Sequence, residues 1–274
     1  MWLDRYGAQA IEADDLSAVA EALASGVLTQ GASVEAFESR VASYCGAEFA
    51  IAVCNATAGL HIALLAAGVG AGDEVITTPI SFAATANAVL YCGATPIFAD
   101  IDFASGLLDA ACVERLITPR TKAIIPVHYA GSLCDLAIYE IAARRALIVI
   151  EDAAHAIGSF DAEGKSAGTF GAMGVFSFHP VKPITTGEGG AVITNDPAIA
   201  ARLRLLRSHG ISRGEGWEQN MNLLGFNYRI SDISCALGVS QIAKLDRMID
   251  ARSQVAAKYD RAFESAAKFR PLKI

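Results

Sequence analysis

A chain of 274 residues, 53% hydrophobic and 19% charged, holds enough apolar material for one large α/β domain with at most a small appendage, and too much for a disordered chain. Its formal net charge of −7 and the absence of a basic cluster argue against nucleic acid as a partner. The longest uncharged stretches, 49–72 and 75–99, are interrupted by Pro, Gly, Asn, Thr or His, so neither reads as a membrane span.

Taken in chain order, Met1-Trp-Leu-Asp-Arg-Tyr has no basic segment followed by an apolar one, so no signal peptide is read there. Gly31-Ala-Ser33 leads into Val34, Phe37, Val41 and Tyr44, spaced as one face of a helix. Ala50-Ile-Ala-Val53 reads as a buried strand, and Asn55-Ala-Thr-Ala-Gly-Leu60 opens a second helix. The turn-rich stretch 68–73 precedes a strand over 74–78 and a helix over about 82–92. Its glycines do not make a dinucleotide fingerprint, because Asp73 stands where the third glycine belongs and a strand follows instead of preceding. Strands over 95–99, 123–127 and 146–150 alternate with helices over 109–117 and 135–145. Two more strands are expected over 174–178 and 191–194, and one long helix, with a bend allowed, from Ser231 to about residue 267. The six cysteines (Cys45, Cys54, Cys92, Cys112, Cys134, Cys235) form no C-x-x-C pair. They read as core residues of a reducing, cytoplasmic compartment, with no disulfide framework and no metal site.

Short apolar strands alternating with helices predict an α/β fold with a mostly parallel sheet covered on both faces. Ligands of such sheets bind at the carboxyl ends of the strands, where the chemistry-bearing residues of this chain recur. In Phe176-Ser-Phe-His-Pro-Val-Lys182-Pro-Ile-Thr-Thr-Gly-Glu-Gly-Gly190, Lys182 lies between two apolar strands and ahead of a glycine-rich return. Alone it is a surface lysine after Pro180; in this setting it turns inward, where burial lowers an ammonium's pKa and frees a nucleophilic amine. Asp152 ends an apolar strand, either as a helix cap or as the acid that pairs with a protonated pyridine nitrogen. His155 is either structural or close to the same ring. Asn55-Ala-Thr57 is an ordinary cap or, with the Ser177 hydroxyl, a phosphate site at a helix N-terminus. Phe82 is a core residue or stacks on the ring.

With these residues assembled, the chain resembles the DegT/DnrJ/EryC1/StrS family of aminotransferases dependent on pyridoxal 5′-phosphate (PLP), of fold type I. The resemblance runs through Leu28-Thr-Gln-Gly31, Asn55-Ala-Thr-Ala58, Thr77-Thr-Pro-Ile-Ser-Phe-Ala-Ala-Thr-Ala-Asn87, Glu151-Asp-Ala-Ala-His155, the Lys182 segment, Glu188-Gly-Gly190, Arg207-Ser-His-Gly210 and Gly225-Phe-Asn-Tyr-Arg-Ile-Ser-Asp232. It implies Lys182 as the imine-forming lysine and proton shuttle, Asp152 as the pyridinium partner and Phe82 as the stacking aromatic. It further implies Ala56, Thr57 and Ser177 as phosphate ligands, His155 near the ring, and Asn227 reaching the phosphate in a partner subunit. A homodimer with shared active sites follows. Members that carry out 3-dehydration have His at the lysine position, which sets them apart from this chain. Within the family the motifs are most similar to those of the pseudaminic-acid pathway. The implied reaction moves the amino group of L-glutamate to C4 of a UDP-linked 4-keto-6-deoxy-N-acetylhexosamine. Residues 1–230 are expected to form the large PLP-binding domain, and 231–274 a connecting helix and the start of a C-terminal domain that family members continue past a Pro-Leu like Pro271-Leu272. The sequence is expected to hold the cofactor half of the site and to be truncated before the rest. The alternative is an inactive or regulatory member of the same fold.

Overall fold

The computed structural model describes residues 7–214, 217–264 and 272. Seven strands form one sheet: β1 (Phe49–Val53), β2 (Glu74–Thr77), β3 (Thr95–Phe98), β4 (Thr121–Ile124), β5 (Ile148–Asp152), β6 (Met173–Ser177) and β7 (Gly190–Thr194). Their spatial order is β1-β7-β6-β5-β4-β2-β3, and β7 alone runs against the others. The carboxyl ends of β1 to β6 therefore lie along one edge.

Alternate residues of the central strands point to opposite faces, and both faces are covered. Ile51, Val53, Val175 and Val192 pack into one layer, while Ala50, Ala52, Phe176, Ala191 and Ile193 pack into the other. This two-sided burial is why these strands read as continuous apolar runs instead of alternating ones. The first layer is closed by α3 (Ala56–Ala66), α4 (Ala84–Tyr91) and α7 (Pro197–Arg207); the second by α2 (Ala32–Cys45), α8 (Asp232–Ile242) and α9 (Leu245–Phe263). A third cluster, under α5 (Ala110–Leu116) and α6 (Leu136–Arg144), covers β2 and β4. The helix α3 has Leu60, Ile62, Ala63 and Leu64 at 1% exposure or less, so it is apolar nearly all round, as a helix wedged between a sheet and other helices must be.

The single long helix expected from Ser231 is corrected to two. The helix α8 ends at Ile242 and α9 begins at Leu245, with Lys244 between them at φ −110° and ψ 4°. The break has a packing cause. Cys235, Ala236, Ile242 and Leu245 are buried, whereas α9 beyond Leu245 is largely exposed, and the Lys244 ammonium is held at 2.8 Å by both Asp14 and Asp15. Residues 265–267 of the expected helix lie outside the described residues, as do 270, 271, 273 and 274 at the expected domain start.

Among the described residues, α1 (Ala13–Ala24), α7, and the hairpin β8 (Ile211–Arg213) with β9 (Gln219–Met221) were not expected from the pattern. The helices carry local start signals all the same. The Asp15 carboxylate accepts the Glu12 N–H at 2.9 Å, and Asp196 caps α7 ahead of Pro197 at its first position. Among the described residues, no helix is long and apolar enough to cross a membrane.

Candidate active site

Strand alternation fixes where the acids point. Asp152, the last residue of β5, shares a face with Ile150, and its carboxylate reaches α4: Thr85 Oγ1 donates to Oδ2 at 2.7 Å. Ser81 Oγ lies 2.6 Å from Thr85 Oγ1, so the two hydroxyls form a relay ending on the acid. The Ala154 N–H donates to Oδ1 at 3.2 Å, and Asp152 is only 5% exposed. Hydrogen-bond donors on both oxygens fix the orientation of the carboxylate.

Lys182 sits in the connection that leaves the carboxyl end of β6 and returns through Gly187 and Gly189 to β7. The side chain is half-buried, and its ammonium makes no hydrogen bond or ion pair with a described residue. Burial lowers its pKa from the ordinary value, with the Asp152 charge opposing. Its backbone is better held: the Lys182 N–H donates to His179 O at 2.9 Å, and Arg252 of α9 donates to Lys182 O at 2.8 Å. His155, exposed at the cavity rim but crowded around its ring, is held below the usual imidazole value. Desolvation is the larger cause, the Lys182 charge the next, and Asp152 opposes both.

At the same cavity, α3 begins directly after β1. Asn55 caps it, accepting the Ala58 N–H at 2.8 Å, and leaves the N–H groups of Ala56 and Thr57 directed out of the helix end. Ser177, 8% exposed at the end of β6, brings its hydroxyl to the same place. Glycine is required at position 190, where β7 passes this helix end: a Cβ there would stand 2.7 Å from Ala56 N and 2.9 Å from Phe176 O.

These groups face one cavity of about 530 Å³, lined by Ala56, Thr57, Phe82, Asp152, His155, Ser177 and Lys182 among others. Phe82 is 77% exposed, so it is a wall at the mouth and not a core residue; α4 begins two residues later than expected. Asn227 is not brought to this cavity. It is exposed on the segment that bridges Ser208, beyond the end of α7. Ser81, Thr85, His128, Tyr129, His179 and Glu188 were missed as residues of the site. Thr85 had a readable signal, a hydroxyl one helical turn after Ser81 beyond a strand end, but its partner is 67 positions away.

The donor set fits pyridoxal 5′-phosphate. A helix end with two hydroxyls suits the phosphate, a buried carboxylate suits a protonated ring nitrogen, and a desolvated amine suits a carbonyl carbon. The volume is that of a pocket for a small cofactor and substrate.

A family model described as the DegT/DnrJ/EryC1/StrS aminotransferase family matches residues 9–274. The GDP-perosamine synthase of Caulobacter vibrioides is 47% identical over 235 residues, which are 84% of this chain and 62% of that protein. The UDP-4-amino-4,6-dideoxy-N-acetyl-beta-L-altrosamine transaminase of Campylobacter jejuni is 40% identical over 272 residues, 98% of this chain and 72% of that protein. Among solved structures, Helicobacter pylori PseC, an aminotransferase involved in the biosynthesis of pseudoaminic acid, superposes with a TM-score of 0.91 at 37% identity. That match covers 96% of this chain and 71% of the other. The chain thus spans between three fifths and three quarters of the length of these relatives.

Proposed function

The chain belongs to the DegT/DnrJ/EryC1/StrS aminotransferase family, and from that premise we propose that it is a PLP-dependent nucleotide-sugar aminotransferase. The amino group of L-glutamate is moved to C4 of a UDP-linked 4-keto-6-deoxy-N-acetylhexosamine, a step of pseudaminic-acid-type amino-sugar synthesis. The observation that carries this reading is the half-buried Lys182 amine, unbonded among the described residues, which faces one cavity together with the buried Asp152 carboxylate and the α3 end. The choice of sugar draws support from the Campylobacter jejuni relative and PseC, and the 47% identical GDP-perosamine synthase makes GDP the competing carrier.

When bound, the cofactor would supply an electron sink for the C–H bond that breaks and would carry the amino group between the two half-reactions. The chain supplies the rest. Asp152, oriented by Thr85, keeps negative charge against the ring nitrogen. Ala56 and Thr57 N–H groups with the Thr57 and Ser177 hydroxyls would hold the phosphate, and Phe82 would stack on the ring. Lys182 Nζ is the nucleophile toward the cofactor carbonyl. The same amine would take the proton from the donor α-carbon and deliver one to sugar C4. His155 stands beside the ring. In this reading 1–230 is the cofactor domain and 231–274 the connection onward. The active unit is a cytoplasmic homodimer, in which the exposed Asn227 serves the phosphate in a second copy.

The test is reconstitution of the purified chain with PLP. A visible band that borohydride bleaches is expected, and it is lost in Lys182→Ala together with all turnover. Glutamate should then yield 2-oxoglutarate with the UDP-linked keto-sugar and more slowly with a GDP-linked one. A band that survives Lys182→Ala refutes the assignment of the lysine. PLP binding without turnover returns the chain to the non-catalytic reading.

A further inference from the structure

Glu151 precedes Asp152 on β5 and points to the opposite face, away from the cavity. Its side chain and that of His128 are both 0% exposed. The carboxylate is nevertheless fully engaged. Oε2 accepts the Gly168 N–H at 2.7 Å and lies 2.7 Å from His128 Nε2, while Oε1 accepts the Gly171 N–H at 2.6 Å. The glycine at 168 has φ +84°, and a Cβ there would press on the Phe176 ring at 3.0 Å, so this donor turn is open to little else.

The state of the imidazole follows from its second nitrogen. The Cys134 N–H donates to His128 Nδ1 at 3.1 Å, so Nδ1 is a lone-pair acceptor and the proton lies on Nε2, donated to Glu151. The same histidine grips the neighbouring residue through its backbone. The His128 N–H donates to Asp152 O at 3.0 Å, and the Asp152 N–H donates to Pro126 O at 2.9 Å. Residues 151 and 152 are thus clamped together, one by a side chain and one by main chain, from a single segment that also lines the cavity. The Glu151 charge reaches past its bonds: after burial, it is the next cause that pushes the Cys134 thiol up to about 12. Buried charges add little net stability over apolar side chains of equal volume, so such a group contributes orientation more than stability.

We propose that Glu151 and His128 form a buried positioning pair that fixes the end of β5 and thereby aims the Asp152 carboxylate at the ring nitrogen of bound PLP. The inference rests on the cofactor reading above. Neither residue touches the reacting atoms in this assignment; both act through Asp152.

The test is titration of the full apo-chain with PLP, following the visible band, for Glu151→Gln, His128→Phe and the double variant. Each single change should weaken PLP binding about tenfold, as loss of a hydrogen bond to a charged group does, and shift the band at saturation. The double variant should lose no more than the worse single, because the pair acts as one unit. Unchanged affinity and band in both singles, even with a lowered melting midpoint, overturns the proposal, as does a double loss equal to the product of the singles. Should the variants fail to fold, the 15N imidazole spectrum of the unsubstituted chain decides. A neutral Nε2–H tautomer whose signal moves on PLP addition is expected, and an imidazolium or an unmoved signal overturns the pair's role. If the unsubstituted chain takes up no PLP, the functional reading falls and the pair's role with it; failure in the variants alone leaves that reading standing.

Discussion

On one side of the cavity Asp152 is 5% exposed and receives hydrogen bonds from Thr85 and Ala154, while on the other Lys182 is half-buried with its amine unbonded among the described residues. Both are ionisable and both face the same space, yet their surroundings act on them in opposite ways. Donors around the acid hold its carboxylate in one orientation. Desolvation of the lysine disfavours its charged form, and the resulting pKa lies below the ordinary value. A group whose task is to present a constant field is best held rigid and bonded, and one that must attack and carry protons is best left desolvated and free.

Among changes that leave Lys182 in place, the largest effect should come from removing the charge on the bonded side. Asp152→Asn keeps the shape but presents a neutral amide to the ring nitrogen, so kcat is expected to fall by about a hundredfold or more, by analogy with loss of a preorganised electrostatic partner. Single-turnover rates with glutamate check this, and a loss confined to KM would break the contrast between the two walls. Next comes Gly190→Ala, which forces a Cβ against Ala56 N at the helix end. Overpacking of this kind costs roughly 1–3 kcal/mol, so both the melting midpoint and PLP affinity should drop. Thr85→Val removes the donor to Asp152 Oδ2 with little change in volume, and roughly tenfold lower turnover is expected from the loss of a charge-assisted hydrogen bond. A Thr85→Ser variant should recover most of it.

The smallest effect tests the lysine side through stability. Because the folded-state pKa of Lys182 lies below 10.5, the unfolded chain binds more protons than the folded one between the two values. Stability from this group therefore rises with pH across that window. In the apo-chain, Lys182→Met should raise the melting midpoint at neutral pH, and the advantage should shrink as pH approaches 10.5. Melting curves that differ by the same amount at every pH would mean the lysine is not desolvated.

How much of this was legible in sequence depends on the distance over which each feature is decided. Asn55 capping α3, the apolar runs of β1 and β6, and the glycine-rich return before Gly190 are local, and each lies where the pattern put it. The break at Lys244 was not legible, because its anchors Asp14 and Asp15 come from a helix 230 and 229 positions earlier. Phe82 was ambiguous for a similar reason: a phenylalanine at a strand end is core or wall according to what covers it, and here it is left 77% exposed. The bonded wall was half legible. Asp152 stood out at the end of an apolar strand, but Thr85 and His128 looked like ordinary polar residues.

The sequence by itself determined the alternation of strands and helices, their capping, and the residue types that a PLP site needs, because backbone propensity and burial period act within a few residues. Only the tertiary structure decided which of those side chains meet. The order β6-β5-β4-β2 sets the ends of four strands side by side, so that Asp152 reaches Thr85 on the helix after β2, Glu151 reaches His128 and the Gly168 turn, and Ser177 comes to the α3 end. Hydrogen bonds across such distances depend on strand order and register, which are settled by the packing of the whole sheet and not by any one segment.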